Sequence, residues 1–178
     1  MRLGLQMVAQ LSAGAAVRIV AARQQGPFES VDDLAHRAAL GRSDLQALAA
    51  AQALRSLSAH RHDAAWRAAG HERPTAFLED ARVAEPSLQE GLLLPPTEAD
   101  DVAHDYASMG LSLGRHPVAF LRPTLAARFQ SRPFAELQHY PHGRLARASG
   151  LVTHRQRPST AKGILFLTLE DETGRINV

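Results

Sequence analysis

A chain of 178 residues, 45% hydrophobic and 21% charged, excludes a wholly disordered protein and falls between one large domain and two small ones. The absence of cysteine excludes disulfides, thiolate chemistry and cysteine-ligated metal sites, and no apolar run approaches the roughly 20 residues of a membrane helix. With no signal-peptide pattern at the N-terminus either, a soluble cytoplasmic protein is expected. The net charge of +2 divides unevenly, with 8 basic and 5 acidic residues over 1–70, 2 and 9 over 71–114, and 10 and 4 over 115–178. Two basic ends around an acidic middle suit a polyanionic partner or simply a solvated surface of mixed charge.

Leu3, Leu5, Val8 and Leu11 recur at helical spacing, and after Ser12-Ala13-Gly14 a second helix is expected from Ala15 to Arg23. Ser12 is placed to cap it. Gly26-Pro27 breaks the pattern, and Ser30 then caps a helix with Asp32 and Asp33 in its first turn, running through Leu34 towards Ala38 and ending at Gly41. Ser43 is read as the next cap, with Leu45, Leu48 and Ala49 on one face and Leu54 and Leu57 closing a second hairpin. Four short helices in about 60 residues result.

The residues Leu3-Gly4-Leu5, Val8 to Arg23, Gly26-Pro27-Phe28, Ser30 to Leu34 and Leu48 to Leu57 resemble the tandem helix-hairpin-helix region near the C-terminal end of bacterial C-family DNA polymerase III alpha subunits, the error-prone, damage-inducible branch above all. The resemblance implies that hairpin amides around Ser12, Ala13 and Gly14, with Arg18, bind a DNA backbone phosphate without reading sequence. One departure stands out. Where the family's first hairpin reads Gly, apolar, Gly, this chain has Gln10-Leu11-Ser12, which weakens the expected phosphate cradle.

Residues 71–143 read as an acidic linker and a docking helix. His60, His62 and His71 lack the spacing of a zinc site, so no metal is expected, and Trp66 among alanines reads as a core plug. Four prolines and little periodicity mark 71–98 as a connector. Within it Gln89, Leu92 and Leu93 are similar to the short peptides by which polymerases dock on the sliding clamp. Thr97 caps a helix carrying Val102, Tyr106 and Met109, with Asp100 one position short of a capping box and Asp100 and Asp101 as surface charges favoured by the helix dipole. Residues 105–122 again resemble the alpha-subunit family.

From 144 the period changes. Leu145 to Val152 suggest a strand bending at Gly150, followed by a basic loop 157–163, a strand at Ile164–Leu169, an acidic turn 170–174 and a third strand from Arg175. The order is similar to the first three strands of an oligonucleotide-binding fold, in the position where alpha subunits carry one. Arg144, Arg147, Arg155, Arg157 and Lys162, with no acidic residue among them, match either a nucleic-acid footprint or an edge charged against aggregation. The expected class is therefore α+β: a tandem helix-hairpin-helix domain over 1–70, the linker and docking helix over 71–143, and a truncated oligonucleotide-binding fold over 144–178.

No nucleophile, base and orienter arrangement and no Asp-x-Asp pair occurs, so no catalytic residue is expected. The resemblance implies a DNA-binding portion of an error-prone polymerase for translesion synthesis, with magnesium and nucleotide addition in a palm domain absent from this chain. Non-specific DNA, the sliding clamp and lesion-bypass accessory proteins are the implied partners, with no membrane. The alternative is a non-catalytic adaptor that binds proteins of the bypass machinery.

Overall fold

The computed structural model describes residues 3–71, 93–158 and 163–178, as two compact units, Met1–Leu111 and Ser112–Val178. The first is helical: a single 3-10 turn at Leu5–Met7, then α1 (Ala13–Arg23), α2 (Val31–Arg37), α3 (Arg42–Ala50), α4 (Arg61–Gly70) and α5 (Glu98–Met109). The second holds α6 (Pro117–Phe129), the one-turn α7 (Phe134–Leu137) and strands β1 (Leu151–Gln156), β2 (Phe166–Asp171) and β3 (Gly174–Asn177). Helices and an antiparallel sheet make the chain α+β, as expected. No helix among the described residues is long and apolar enough to cross a membrane.

Short polar caps delimit the helices. The Ser12 hydroxyl accepts from Ala15 N–H and the Ser30 hydroxyl from Asp33 N–H, both at 3.0 Å, supplying acceptors that the first turn lacks. Two expected boundaries are wrong. The segment from Leu3 to Leu11 forms a 3-10 turn rather than a helix, and Gly41 starts α3 instead of ending α2, so Ser43 lies inside the helix. α2 stops at Arg37 because Ala39 turns left-handed at φ 47° and its neighbour Leu40 donates back to Ala35 O at 2.9 Å.

The core of the first unit is built from small and medium side chains: Ala15, Ile19 and Ala22 from α1, Val31, Leu34 and Ala35 from α2, Leu45 and Leu48 from α3, Ala64 and Ala68 from α4. Alanine at the contacts lets short helices approach closely enough to exclude water over few turns. Trp66 is not the expected plug: it is 61% exposed. The buried stripe of α4 is Arg61, Ala64 and Ala68, one helical face, and position 66 points well away from it.

α5 belongs to this unit rather than to a linker. Its carbonyl at Ser108 accepts from Ala9 N–H at 2.9 Å, and the Ser108 hydroxyl donates to Ala50 O at 3.0 Å. The buried Arg61 guanidinium donates to Ala50 O at 2.7 Å and to Asp105 Oδ1 at 2.5 Å, with Asp101 Oδ1 at 3.0 Å from its Nε. Asp101 is thus an ion-pair partner, not only a dipole charge. Asp100 completes a full capping box with Thr97, contrary to the expectation of a near miss, and the hydrogen bonds its carboxylate accepts from the Thr97 hydroxyl and N–H hold it below the usual range.

In the second unit the strands pair in the order β1-β2-β3, antiparallel throughout. The expected strand over 145–150 is absent; β1 begins at Leu151, and its irregularity lies between Val152 and His154 rather than at Gly150. Gly150 serves close approach instead, since a Cβ there would lie 2.6 Å from Phe134 Cζ and 2.8 Å from Glu170 O. The acidic turn is shorter than expected. Asp171 closes β2 as a buried carboxylate that accepts from Phe134 N–H at 2.8 Å, Thr173 N–H at 2.7 Å, Gly174 N–H at 3.0 Å and Arg122 at 3.0 Å. Burial raises this carboxyl, but the hydrogen bonds from Thr173, Phe134 and Gly174 outweigh it and hold it below its ordinary value.

Candidate nucleic-acid interface

Two hairpins in the first unit repeat one local geometry. Gln10 at φ 66° precedes Leu11 and the α1 cap Ser12; Ala39 at φ 47° precedes Leu40 and the α3 cap Gly41. A left-handed residue, a leucine anchored in or against the core, and an N-cap turn the chain into each helix. Gln10 therefore adopts the backbone conformation for which glycine is normally chosen, at a steric cost of roughly 1–2 kcal/mol.

The first-turn amides have no intrahelical acceptor, and Ser12, Ala13 and Gly14 on α1 and Arg42 and Ser43 on α3 are exposed. The two helix starts are neighbours, since Ser12 Oγ lies 3.4 Å from Asp44 Oδ1 in the first turn of α3. Arg18 is less free than expected: its Nε donates to Ala38 O at 2.8 Å and its Nη2 to Ala39 O at 3.3 Å, bracing the end of α2, and Asp44 lies 3.8 Å from it. Sequence reading missed Arg42 and Ser43, although Leu40-Gly41 carried half of the hairpin signature.

The remaining basic candidates lie in the second unit. The Arg144 guanidinium sits 4.1 Å from the Tyr140 ring centroid, Arg147 donates to Gln130 Oε1 at 3.0 Å, and Arg155 and Arg157 are exposed at and just beyond β1. Lys162 lies outside the described residues, as do Gln89 and Leu92 of the clamp-like peptide. Leu93 is described and exposed, and its carbonyl accepts from His60 Nε2 at 3.0 Å; His62 Nδ1 donates to Leu94 O at 2.9 Å. His60 also caps α4 by accepting from Asp63 N–H, so both its ring nitrogens are engaged in backbone contacts. Among the described residues no three His, Cys, Asp or Glu side chains cluster as metal ligands.

Residues 1–64 match the helix-hairpin-helix motif family. Nearly the whole chain is similar to proteins named error-prone DNA polymerase: 55% identical over 99% of this chain to that of Burkholderia pseudomallei (strain K96243), 52% to that of Aromatoleum aromaticum (strain DSM 19018 / LMG 30748 / EbN1), and 50% over its full length to that of Methylococcus capsulatus (strain ATCC 33009 / NCIMB 11132 / Bath). The matched stretch covers 16% of the first two relatives and 17% of the third, about a sixth of each. The family resemblance expected from the residues is borne out along the chain.

Proposed function

We propose that this chain is a DNA-gripping, non-catalytic portion of an error-prone DNA polymerase, in which the paired hairpins hold a duplex by its phosphates during synthesis past damage. The observation that supports it best is the repeated hairpin geometry, which brings the starts of α1 and α3 side by side with the exposed residues Ser12, Ala13, Gly14, Arg42 and Ser43 at them. Amides at a helix start, reinforced by the helix dipole, are a general anion seat, and contacts of this kind position DNA without reading its sequence. The sheet of the second unit is read as the opening strands of an oligonucleotide-binding fold, with Arg144, Arg155, Arg157 and Lys162 as further backbone contacts. Nucleotide addition, with its magnesium ions, is assigned to parts of the relatives beyond the matched sixth, and the setting is the cytoplasm.

The test uses acidic residues at the helix starts. Ala13→Glu and Arg42→Glu place carboxylates where the helix dipole favours them, so the fold is kept or slightly strengthened while a phosphate is repelled. Duplex affinity of the 178-residue chain is expected to fall at least tenfold in the double variant. The wild-type log–log salt dependence should have a slope near −0.9 per phosphate contacted. Duplex binding unchanged by both substitutions overturns the hairpin reading; negligible DNA affinity with capture of bypass proteins would favour the adaptor. For the peptide at Gln89, Leu92 and Leu93, alanine at both leucines should abolish retention on an immobilised sliding clamp, and no retention of the wild type removes that partner.

A further inference from the structure

In the second unit, the end of α6 and the segment leading to β1 line an open groove of about 510 Å³. Arg128, Phe129 and Ser131 line one side and Arg147 and Ser149 the other, and none of its lining residues is acidic. Its walls are fixed. Gln130, left-handed at φ 53°, closes α6 by donating to Ala126 O, Ser131 N–H donates to Leu125 O, and Arg132 N–H donates to Arg147 O at 2.9 Å. Arg147 in turn holds Gln130 through its side-chain oxygen.

Ser131 is the odd member. Its side chain is buried, the residue being 2% exposed, and its hydroxyl has no hydrogen-bond partner among the described residues. A buried hydroxyl left unpaired is costly, and a site of this kind ordinarily has an acceptor for it. Arg128 and Arg147, whose guanidinium groups match phosphate oxygens by shape as well as charge, line the same groove, and Phe129 beside them is half exposed, its ring centroid 5.5 Å from the Arg128 guanidinium. Two arginines, an unpaired hydroxyl and an adjacent aromatic face fit one phosphate with one base, the repeating unit of a single strand with its bases unstacked. An open groove suits a strand lying across it rather than an enclosed small molecule.

We infer that the groove of Arg128, Phe129, Ser131 and Arg147 is a binding subsite for single-stranded DNA, seating a phosphate between the two arginines over Ser131 and a base against Phe129. The subsite deepens the DNA reading but stands on residues apart from the hairpins, so each can fail alone.

The experiment measures binding of a fluorescent oligothymidylate of roughly twelve nucleotides, within the usual span of single-strand sites, to the 178-residue chain. Arg128→Gln and Arg147→Gln should each weaken it severalfold, and together flatten the log–log salt slope by about 1.4, two contacts at about 0.7 each. Ser131→Ala separates binding from folding, because removal of an unpaired buried hydroxyl leaves the thermal midpoint unchanged or raised while affinity should fall two- to fivefold. Arg132→Gln, an exposed arginine beside Glu136 and outside the groove lining, is the control for generic charge loss. Groove arginine variants no weaker than Arg132→Gln, or unchanged affinity in Ser131→Ala, overturn the subsite. Inorganic phosphate that saturates the Ser131 amide signal at micromolar concentration, with no preference for the oligonucleotide, assigns the groove to a free anion and also overturns it. Duplex binding lost in the hairpin variants alongside intact single-strand binding would leave this subsite standing on its own.

Discussion

The buried pair between Arg61 and Asp105 offers the sharpest test of how the first unit is held together. The Arg61 side chain is 3% exposed and that of Asp105 12%, and the guanidinium also ties to Ala50 O and lies against Asp101. Arg61→Met keeps much of the volume but takes the guanidinium away from a carboxylate in a desolvated place, a change that costs about 3–5 kcal/mol, whereas a well-packed apolar pair is often close to neutral. Arg61→Met alone and Asp105→Leu alone should therefore each lower stability by about that amount. The double variant Arg61→Met/Asp105→Leu should recover most of it, a coupling of several kcal/mol between groups 44 residues apart in sequence. At roughly 4–8 °C per kcal/mol for a unit of this size, each single variant should melt on the order of 12–40 °C lower. Trp66, the sole tryptophan, lies on α4 and reports urea and thermal unfolding by fluorescence, alongside far-ultraviolet circular dichroism. Single variants that lose under about 1 kcal/mol, or a double variant that loses the sum of the two, would refute the argument that α4 and α5 are joined through a buried charge.

Three further outcomes are expected. Asp171 and Glu172 both have folded pKa values below their ordinary ones, Asp171 because hydrogen bonds outweigh its burial and Glu172 because Arg122 donates to it. Their stabilisation is present above the unfolded carboxyl values and is lost as pH falls through the lower folded ones. The second unit should therefore loosen below about pH 4, and Asp171→Asn should flatten that acid limb, as followed by the amide signals of Thr173 and Gly174; an unchanged limb would show the carboxylate to be irrelevant. Gly150→Ala should cost about 1–3 kcal/mol, since its methyl meets the Phe134 ring and the Glu170 carbonyl, and a neutral substitution in calorimetry would mean the strand entry is free to shift. Ala39→Gly should raise stability by about 0.5–1 kcal/mol in denaturant unfolding, because glycine relieves the left-handed conformation that closes α2; a loss would show the turn to be unstrained.

Local interactions were legible before any coordinates. Ser12, Ser30 and Thr97 each satisfy an amide three residues on, a bond whose partners the sequence places within one turn, and the apolar positions of α1 and α3 repeat at the helical period. The family resemblance was carried by the same short-range residues. Gln10 lacks the glycine of the family's pattern yet is left-handed, and the leucine that follows it is packed against the core.

What only the tertiary structure decided depends on residues far apart in the chain. Trp66 was judged by its alanine neighbours, but the face of α4 that becomes buried is chosen by what packs on it, and that face is Arg61, Ala64 and Ala68. Asp105 reads from sequence as one more acidic residue of a linker, and Asp171 as a turn charge; Arg61 and Phe134, 44 and 37 positions away, make them structural. A residue's chemistry and its helical period are written in its immediate neighbours, so the sequence alone settled the caps at Ser12, Ser30 and Thr97, the helices they open, and the uneven division of charge along the chain. Which charges are desolvated, which glycine must yield space to a ring, and which hydroxyl is stranded beside two arginines are settled only when distant segments exclude water together, since burial is a property of the assembled packing and of no short stretch of chain.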